Sequence, residues 1–111
     1  VIAPGVNLSL HALHQMAAAL PHVDIAKPKE VIGRNTVSCM QSGVFWGYIG
    51  LVKEICKKIK EEKKEAMRIV ATGGLAPLLQ STEALFDDVE ENLTMHGLRL
   101  IFDHNKNIDS L

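Results

Sequence analysis

Cysteine is scarce in this chain of 111 residues: Cys39 and Cys56 are the only two, and no Cys-x-x-Cys or Cys/His zinc spacing occurs. If both lie on one helix, a separation of 17 residues puts them roughly 25 Å apart, far beyond disulfide reach. A reducing cytoplasm is the compartment this usage suggests. Aromatic residues are few, with one Trp, one Tyr and three Phe, which argues against a stacking platform for single-stranded bases. Neither sign of charge dominates: 12 Lys and Arg stand against 13 Asp and Glu. Composition therefore points to neither nucleic acid nor anionic lipid as a partner. No basic segment leads into an apolar run as in a signal peptide. Long hydrophobic runs are missing as well. The longest uncharged stretch, residues 35–52, is broken by Thr36, Ser38, Gln41, Ser42 and three glycines. A membrane span wants about 20 mainly apolar residues, so this stretch reads as a helix buried on most sides. There is no Walker A loop, no Gly-x-Ser-x-Gly elbow and no Cys-His pair with an orienting third group.

What is present is an ordinary globular composition, 47% apolar and 23% charged, of a length that suits one domain or part of one. No internal repeat or low-complexity segment is visible. Val1–Ala3 read as the end of a strand closed by the Pro4-Gly5 turn signal. Asn7 or Ser9 can cap a helix that Pro21 ends at Leu20, with an apolar stripe of Leu10, Leu13, Met16, Ala17 and Leu20. Residues 21–33, with short apolar pairs and several Pro and Gly, read as a loop. Asn35 or Thr36 then caps a long central helix reaching about Ala66. Its first half is uncharged, with Gly43, Gly47 and Gly50 on one side, a row suited to close approach by another backbone. Its second half is amphipathic, with Ile55 and Ile59 inward and a solvated charged face. Residues 68–72 read as a short buried strand, Gly73-Gly74 as a tight turn, and Leu75–Leu79 as a helix start that tolerates Pro77. Residues 84–86 suggest a last short strand. Thr94 is placed to cap a final helix through Leu98, Ile101 and Phe102, and a polar tail begins at Asn105. The pattern is α/β, helix-rich, with a few short strands and one long central helix.

Two places stand out as candidate sites. The strand-to-helix turn at Gly73 and Gly74 would let a nucleotide approach the backbone, although tight corners alone use the same residues. Thr36 opens the central helix after Gly33-Arg34-Asn35. It serves either as an N-cap, contributing about 1 kcal/mol, or as a hydroxyl aimed with the helix N-terminus and Arg34 at an acidic ligand group. His11 and His14 read as exposed, and no role follows for His22, His96 or His104. The acidic run 87–91 reads as favourable charge before a helix, with Mg²⁺ binding as the less economical reading.

Several segments together resemble one family. Val1-Ile2-Ala3-Pro4-Gly5 resembles the end of the Gly-Gly-x-Ile-x-Pro-Gly motif of type III pantothenate kinases, on the phosphate side of the site. Gly33-Arg34-Asn35-Thr36-Val37, Met40-Gln41-Ser42-Gly43 and Gly47-Tyr48-Ile49-Gly50-Leu51-Val52 resemble the family's long central helix. Ala71-Thr72-Gly73-Gly74-Leu75-Ala76-Pro77 is similar to its adenosine-side glycine motif, and Leu93–Arg99 to the start of its C-terminal helix. The matches are in order and run along nearly the whole sequence.

The resemblance implies an actin-like, sugar-kinase (ribonuclease H-like) fold of two α/β domains. It implies phosphorylation of pantothenate by ATP, with Mg²⁺ and a monovalent cation (K⁺ or NH₄⁺), in a cytoplasmic homodimer. It further implies that Thr36 reaches pantothenate across the dimer interface, that Gly73 and Gly74 lie by the adenosine, and that the glycine row lies near a domain or subunit contact. The family's Asp-x-Gly-Asn-Thr motif, its cation-holding Asp and its Gly-x-Asp-Arg segment with the catalytic base do not occur here. The expectation is therefore that residues 1–111 are the C-terminal part of the second actin-like domain, inactive alone, with no catalytic and no metal-ligating residue of its own. The alternative is a non-enzymatic helical dimerisation module, or a Baf-type transcriptional accessory protein.

Overall fold

The computed structural model describes residues 1–17 and 19–109, the last three of these by backbone alone. It is helix-dominated α/β, in two compact units, Val1–Met67 and Arg68–Leu111.

The first unit is built on α2 (Thr36–Lys63), 28 residues long and so about 42 Å from end to end. Its start is fixed by a reciprocal capping box. The Asn35 side chain accepts the Ser38 N–H at 2.9 Å, and the Ser38 hydroxyl accepts the Asn35 N–H at 3.1 Å. Its end is fixed at Lys64, which turns left-handed at φ 55°, with its N–H on the Lys60 carbonyl. Exposed pairs such as Glu54–Lys58 (3.7 Å) and Lys58–Glu61 (3.0 Å) line the charged half, each contributing a few tenths of a kcal/mol at most.

Met40, Val44, Phe45 and Ile49 form the buried face at helical spacing, and Phe45 is wholly enclosed. A strip along Gly43, Gly47 and Gly50 is exposed, and so is Val37 in the first turn. The uncharged half of α2 is thus buried or half-buried around most of its circumference, as expected, and open along the glycine strip. The glycines meet no backbone among the described residues: a Cβ at any of the three would find nothing within 4 Å. At the charged end Ile55 is half-buried, whereas Ile59 is exposed rather than inward.

α1 (Val6–Met16) lies against α2 and buries Val6 and Leu10. Gly5, not Asn7 or Ser9, occupies its N-cap position, and the helix ends at Met16, short of Leu20. The expected stripe therefore shrinks to its first member; Leu13 and Met16 are exposed. Residues 1–5 form neither a strand nor a Pro4-Gly5 turn among the described residues, Gly5 being extended, and Val1 and Ile2 are almost fully exposed. They are held instead by Tyr48, whose hydroxyl reaches the Pro4 carbonyl (2.6 Å) and the Ser9 hydroxyl (2.7 Å). The connecting loop is stitched to α2 by Gln41 Nε2 on the Asp24 carbonyl (3.3 Å) and by the Ser42 hydroxyl on the Val31 carbonyl.

The second unit holds two short parallel strands, β1 (Val70–Ala71) and β2 (Asp88–Val89), with Val70 opposite Asp88 and Ala71 opposite Val89. Between them runs α3 (Ala76–Gln80), making a β-α-β connection in which Ala76 and Leu79 are buried. β1 is shorter than residues 68–72 and not buried, with Val70 exposed. β2 lies beyond the expected 84–86. The reason is Gln80, whose side-chain amide takes both backbone groups of Phe86, Nε2 to the carbonyl at 2.9 Å and Oε1 from the N–H at 3.0 Å. That satisfies Phe86 as a ladder would and leaves pairing to the next residues. α4 (Leu93–Asp109) starts with the His96 N–H on the Asn92 carbonyl, so Thr94 lies inside the helix and is not its cap. The helix runs through Asn105, where a tail was expected. Met95, Leu98, Ile101 and Phe102 on it are exposed. Among the described residues no helix is long and apolar enough to cross a membrane.

Candidate functional site

In the first unit the site candidate is the turn into α2. Gly33 lies so close to the helix that a Cβ there would stand 2.4 Å from the Cys39 nitrogen and 2.7 Å from Cys39 Cα. Only glycine fits, and its fit holds Arg34 and Asn35 over the first turn. The Arg34 N–H donates to the Ser38 hydroxyl at 3.0 Å, and that hydroxyl donates in turn to the Asn35 carbonyl at 3.0 Å. The cap is thus Asn35 with Ser38, and of the two roles open to Thr36 the N-cap role falls away. Thr36 is the first residue of the helix, exposed, with no side-chain hydrogen bond among the described residues. Its hydroxyl stands beside first-turn N–H groups that a helix cannot satisfy internally. This is the donor-rich arrangement that suits an anionic or hydroxyl-bearing ligand.

The Arg34 guanidinium is exposed and pairs with Glu30 at 3.4 Å. Loop and helix start together line an open cavity of about 400 Å³, with Lys27, Lys29 and Arg34 as its cations and Ser38 and Gln41 on its helix side. Ser38 and Gly33, which shape this turn, were not singled out as functional from the sequence. The Asn-x-x-Ser spacing carried the signal, because an Asn three residues before a hydroxyl is a capping pattern.

In the second unit, β1 runs through Thr72 into Gly73 and Gly74 and on to α3. Gly73 adopts φ 99°, a conformation that side chains rarely tolerate, and its carbonyl accepts the Ala76 N–H at 3.1 Å. A Cβ on either glycine would meet nothing within 4 Å, so the backbone is open to a ligand here.

The acidic run is employed locally. Asp87 accepts the Ile69 N–H at 2.6 Å, Asp88 pairs with Arg68 at 3.7 Å, and Glu90 accepts the Asn92 N–H at 2.9 Å at the entry to α4. Asp88 and Val89 belong to β2 and so do not simply precede a helix. His11, His14, His22, His96 and His104 are exposed. His14 Nδ1 lies 2.8 Å from the Leu20 carbonyl, and its ring meets His22 edge to face at 5.7 Å. Cys39 and Cys56 are both free, on the same helix.

A family model described as type III pantothenate kinase matches residues 1–58. The chain is 71% identical over 106 residues to a protein of Roseobacter denitrificans named type III pantothenate kinase, covering 96% of this chain and 41% of that one. A namesake from Ruegeria pomeroyi gives the same identity and coverage, and one from Cereibacter sphaeroides is 61% identical over 109 residues, covering 98% and 42%. The chain thus spans about two-fifths of the length of the relatives it matches. These likenesses lend nothing to the alternative of a non-enzymatic dimerisation module or accessory protein.

Proposed function

The chain belongs to the type III pantothenate kinase family, and we propose that it serves as the C-terminal part of such a kinase. The complete protein would transfer the γ-phosphoryl group of ATP to the primary hydroxyl of pantothenate, at the start of coenzyme A synthesis, as a cytoplasmic homodimer. The parallel β1-α3-β2 unit is compatible with the second domain of an actin-like kinase, to which we assign residues 1–111.

The observation that carries this reading into the site is the division of labour at α2. Asn35 and Ser38 satisfy the cap, which leaves the Thr36 hydroxyl available to a ligand. In the proposal Thr36 hydrogen-bonds pantothenate, reaching across the dimer interface. Residues 1–5 stand on the phosphate side, and the open backbone at Gly73 and Gly74 lies along the adenosine. These contacts bind and orient; phosphoryl transfer depends mainly on such positioning and on charge stabilisation. No residue of this chain is assigned a catalytic proton transfer. The family implies Mg²⁺ and a monovalent cation, which would neutralise phosphate charge. Among the described residues no three His, Cys, Asp or Glu side chains converge to hold a metal, so no step is routed through one here.

The test is Thr36→Ala in the full-length kinase, with steady-state kinetics for both substrates. The pantothenate KM rises more than the ATP KM. Equal effects on the two, or none, would remove Thr36 from the pantothenate site.

A further inference from the structure

Tyr48 is the only tyrosine of the chain, and it stands where three segments meet. Its hydroxyl lies 2.6 Å from the Pro4 carbonyl and 2.7 Å from the Ser9 hydroxyl. The direction of both bonds follows from proton count. A carbonyl can only accept, so the single phenolic proton goes to Pro4, and Ser9 must then donate to Tyr48. The result is an ordered chain, Ser9 O–H to Tyr48 O–H to the Pro4 carbonyl, that ties the lead-in segment and the first turn of α1 to the middle of α2.

Little else holds that segment. Val1 and Ile2 are 93% and 99% exposed, so packing does not fix residues 1–3. Gly5 at the N-cap has no side chain to cap α1, and the Tyr48 bond to Pro4 is the one side-chain hydrogen bond to residues 1–5 among the described residues. Tyr48 is itself well anchored, because its neighbours Phe45 and Ile49 on α2 are buried.

We infer that Tyr48 is a positioning residue: its hydroxyl sets the extended Pro4-Gly5 lead-in against the central helix and so places the phosphate-side segment for phosphoryl transfer. The inference rests on the kinase reading proposed above for residues 1–5. Thr36, which in the proposal serves the pantothenate of the partner's site, shares no hydrogen bond with Tyr48, Ser9 or Pro4 among the described residues. A disturbance at the Pro4 end acts on orientation of the phosphate side and spares pantothenate affinity, which separates kcat from KM.

The experiment compares wild type, Tyr48→Phe and Ser9→Ala in the full-length kinase, reading kcat, both KM values, thermal midpoint and amide exchange at Ser9. Phenylalanine keeps the ring and removes the bond to Pro4. Tyr48→Phe lowers kcat roughly five-fold, the worth of one hydrogen bond expressed as a rate. The pantothenate KM stays within about two-fold, and the midpoint falls only ~2–4 °C. Ser9→Ala leaves the bond to Pro4 in place and keeps kcat within about two-fold of wild type. Unchanged kcat in Tyr48→Phe overturns the inference, and so does a rise in pantothenate KM in its place or an equal loss in Ser9→Ala. If wild type itself does not phosphorylate pantothenate, the kinase reading fails separately. The clamp is then decided by the Ser9 amide, which bonds the Gly5 carbonyl at 3.0 Å: faster exchange in Tyr48→Phe upholds it, and unchanged exchange refutes it.

Discussion

Replacing Gly33 by alanine adds one methyl group, and the structure says where it would go. The new Cβ would stand 2.4 Å from the Cys39 nitrogen and 2.7 Å from both Cys39 Cα and the Ser38 carbonyl carbon, where ordinary contact begins at 3.4 Å. All three atoms are backbone of the first turn of α2, so no side chain can swing aside. The loop must retreat by about 1 Å. That retreat draws the Arg34 and Asn35 N–H groups away from the Ser38 hydroxyl, which they reach at 3.0 and 3.1 Å. Overpacking of this kind costs ~1–3 kcal/mol, and a weakened cap adds about 1, giving about 2–4 kcal/mol in total. Urea denaturation of the full-length protein measures the loss as a lower midpoint at unchanged slope. Ser38→Ala is the comparator, since it removes the hydroxyl of the box without a clash and costs about 1 kcal/mol. On the kinase reading, Gly33→Ala also raises the pantothenate KM, because Thr36 moves with the turn. A Gly33→Ala protein within about 0.5 kcal/mol of wild type would refute the close approach.

Five further substitutions, at four positions, test other parts of the chain. Thr36→Ala leaves stability within about 0.5 kcal/mol of wild type, whereas Asn35→Ala loses about 1 kcal/mol, because the cap belongs to Asn35; denaturant midpoints separate the two. Gln80→Ala strands both backbone groups of Phe86 and costs about 2 kcal/mol, while Gln80→Glu keeps the acceptor, loses one bond and costs less, as read from the same curves. Lys64→Gly relieves the left-handed φ of 55° at the end of α2 and raises the midpoint by an amount worth about 1 kcal/mol.

Much of the first unit was legible because its signals are local. Asn35 before an uncharged stretch places the start of α2, and the Lys/Glu alternation from Lys53 places its solvated end. The open strip on the same helix was not legible. An uncharged face reads alike whether it is covered or waiting to be covered, and the glycine row proves open. The ends of α1 were misplaced because Pro21 and Asn7 looked like punctuation, while the chain itself stops the helix at Met16. In the second unit the β-α order was visible, but the second strand was set three to four residues early. An apolar pair such as Leu85-Phe86 favours a strand by composition, and only the fold shows Gln80 already occupying the Phe86 backbone. At the candidate site, Thr36, Gly73 and Gly74 stand at element boundaries as the sequence placed them. The contact at Gly33 and the bonds of Tyr48 depend on partners up to 44 residues away, and no local pattern reports such contacts.

α2 presents two faces that answer to different laws. The Met40, Val44, Phe45 and Ile49 face acts inside one molecule, so its contribution is the same however dilute the protein. The Gly43, Gly47 and Gly50 face, open among the described residues, gains energy only from a body brought to it. If that body is a partner chain, mass action governs the gain, and dilution removes it. If it is the rest of the same polypeptide, the gain is as indifferent to concentration as the core. Damage to the first face thus lowers the unfolding midpoint equally at every protein concentration. An alanine on the second face reports, through the concentration dependence of its effect alone, which kind of neighbour the helix was shaped to meet.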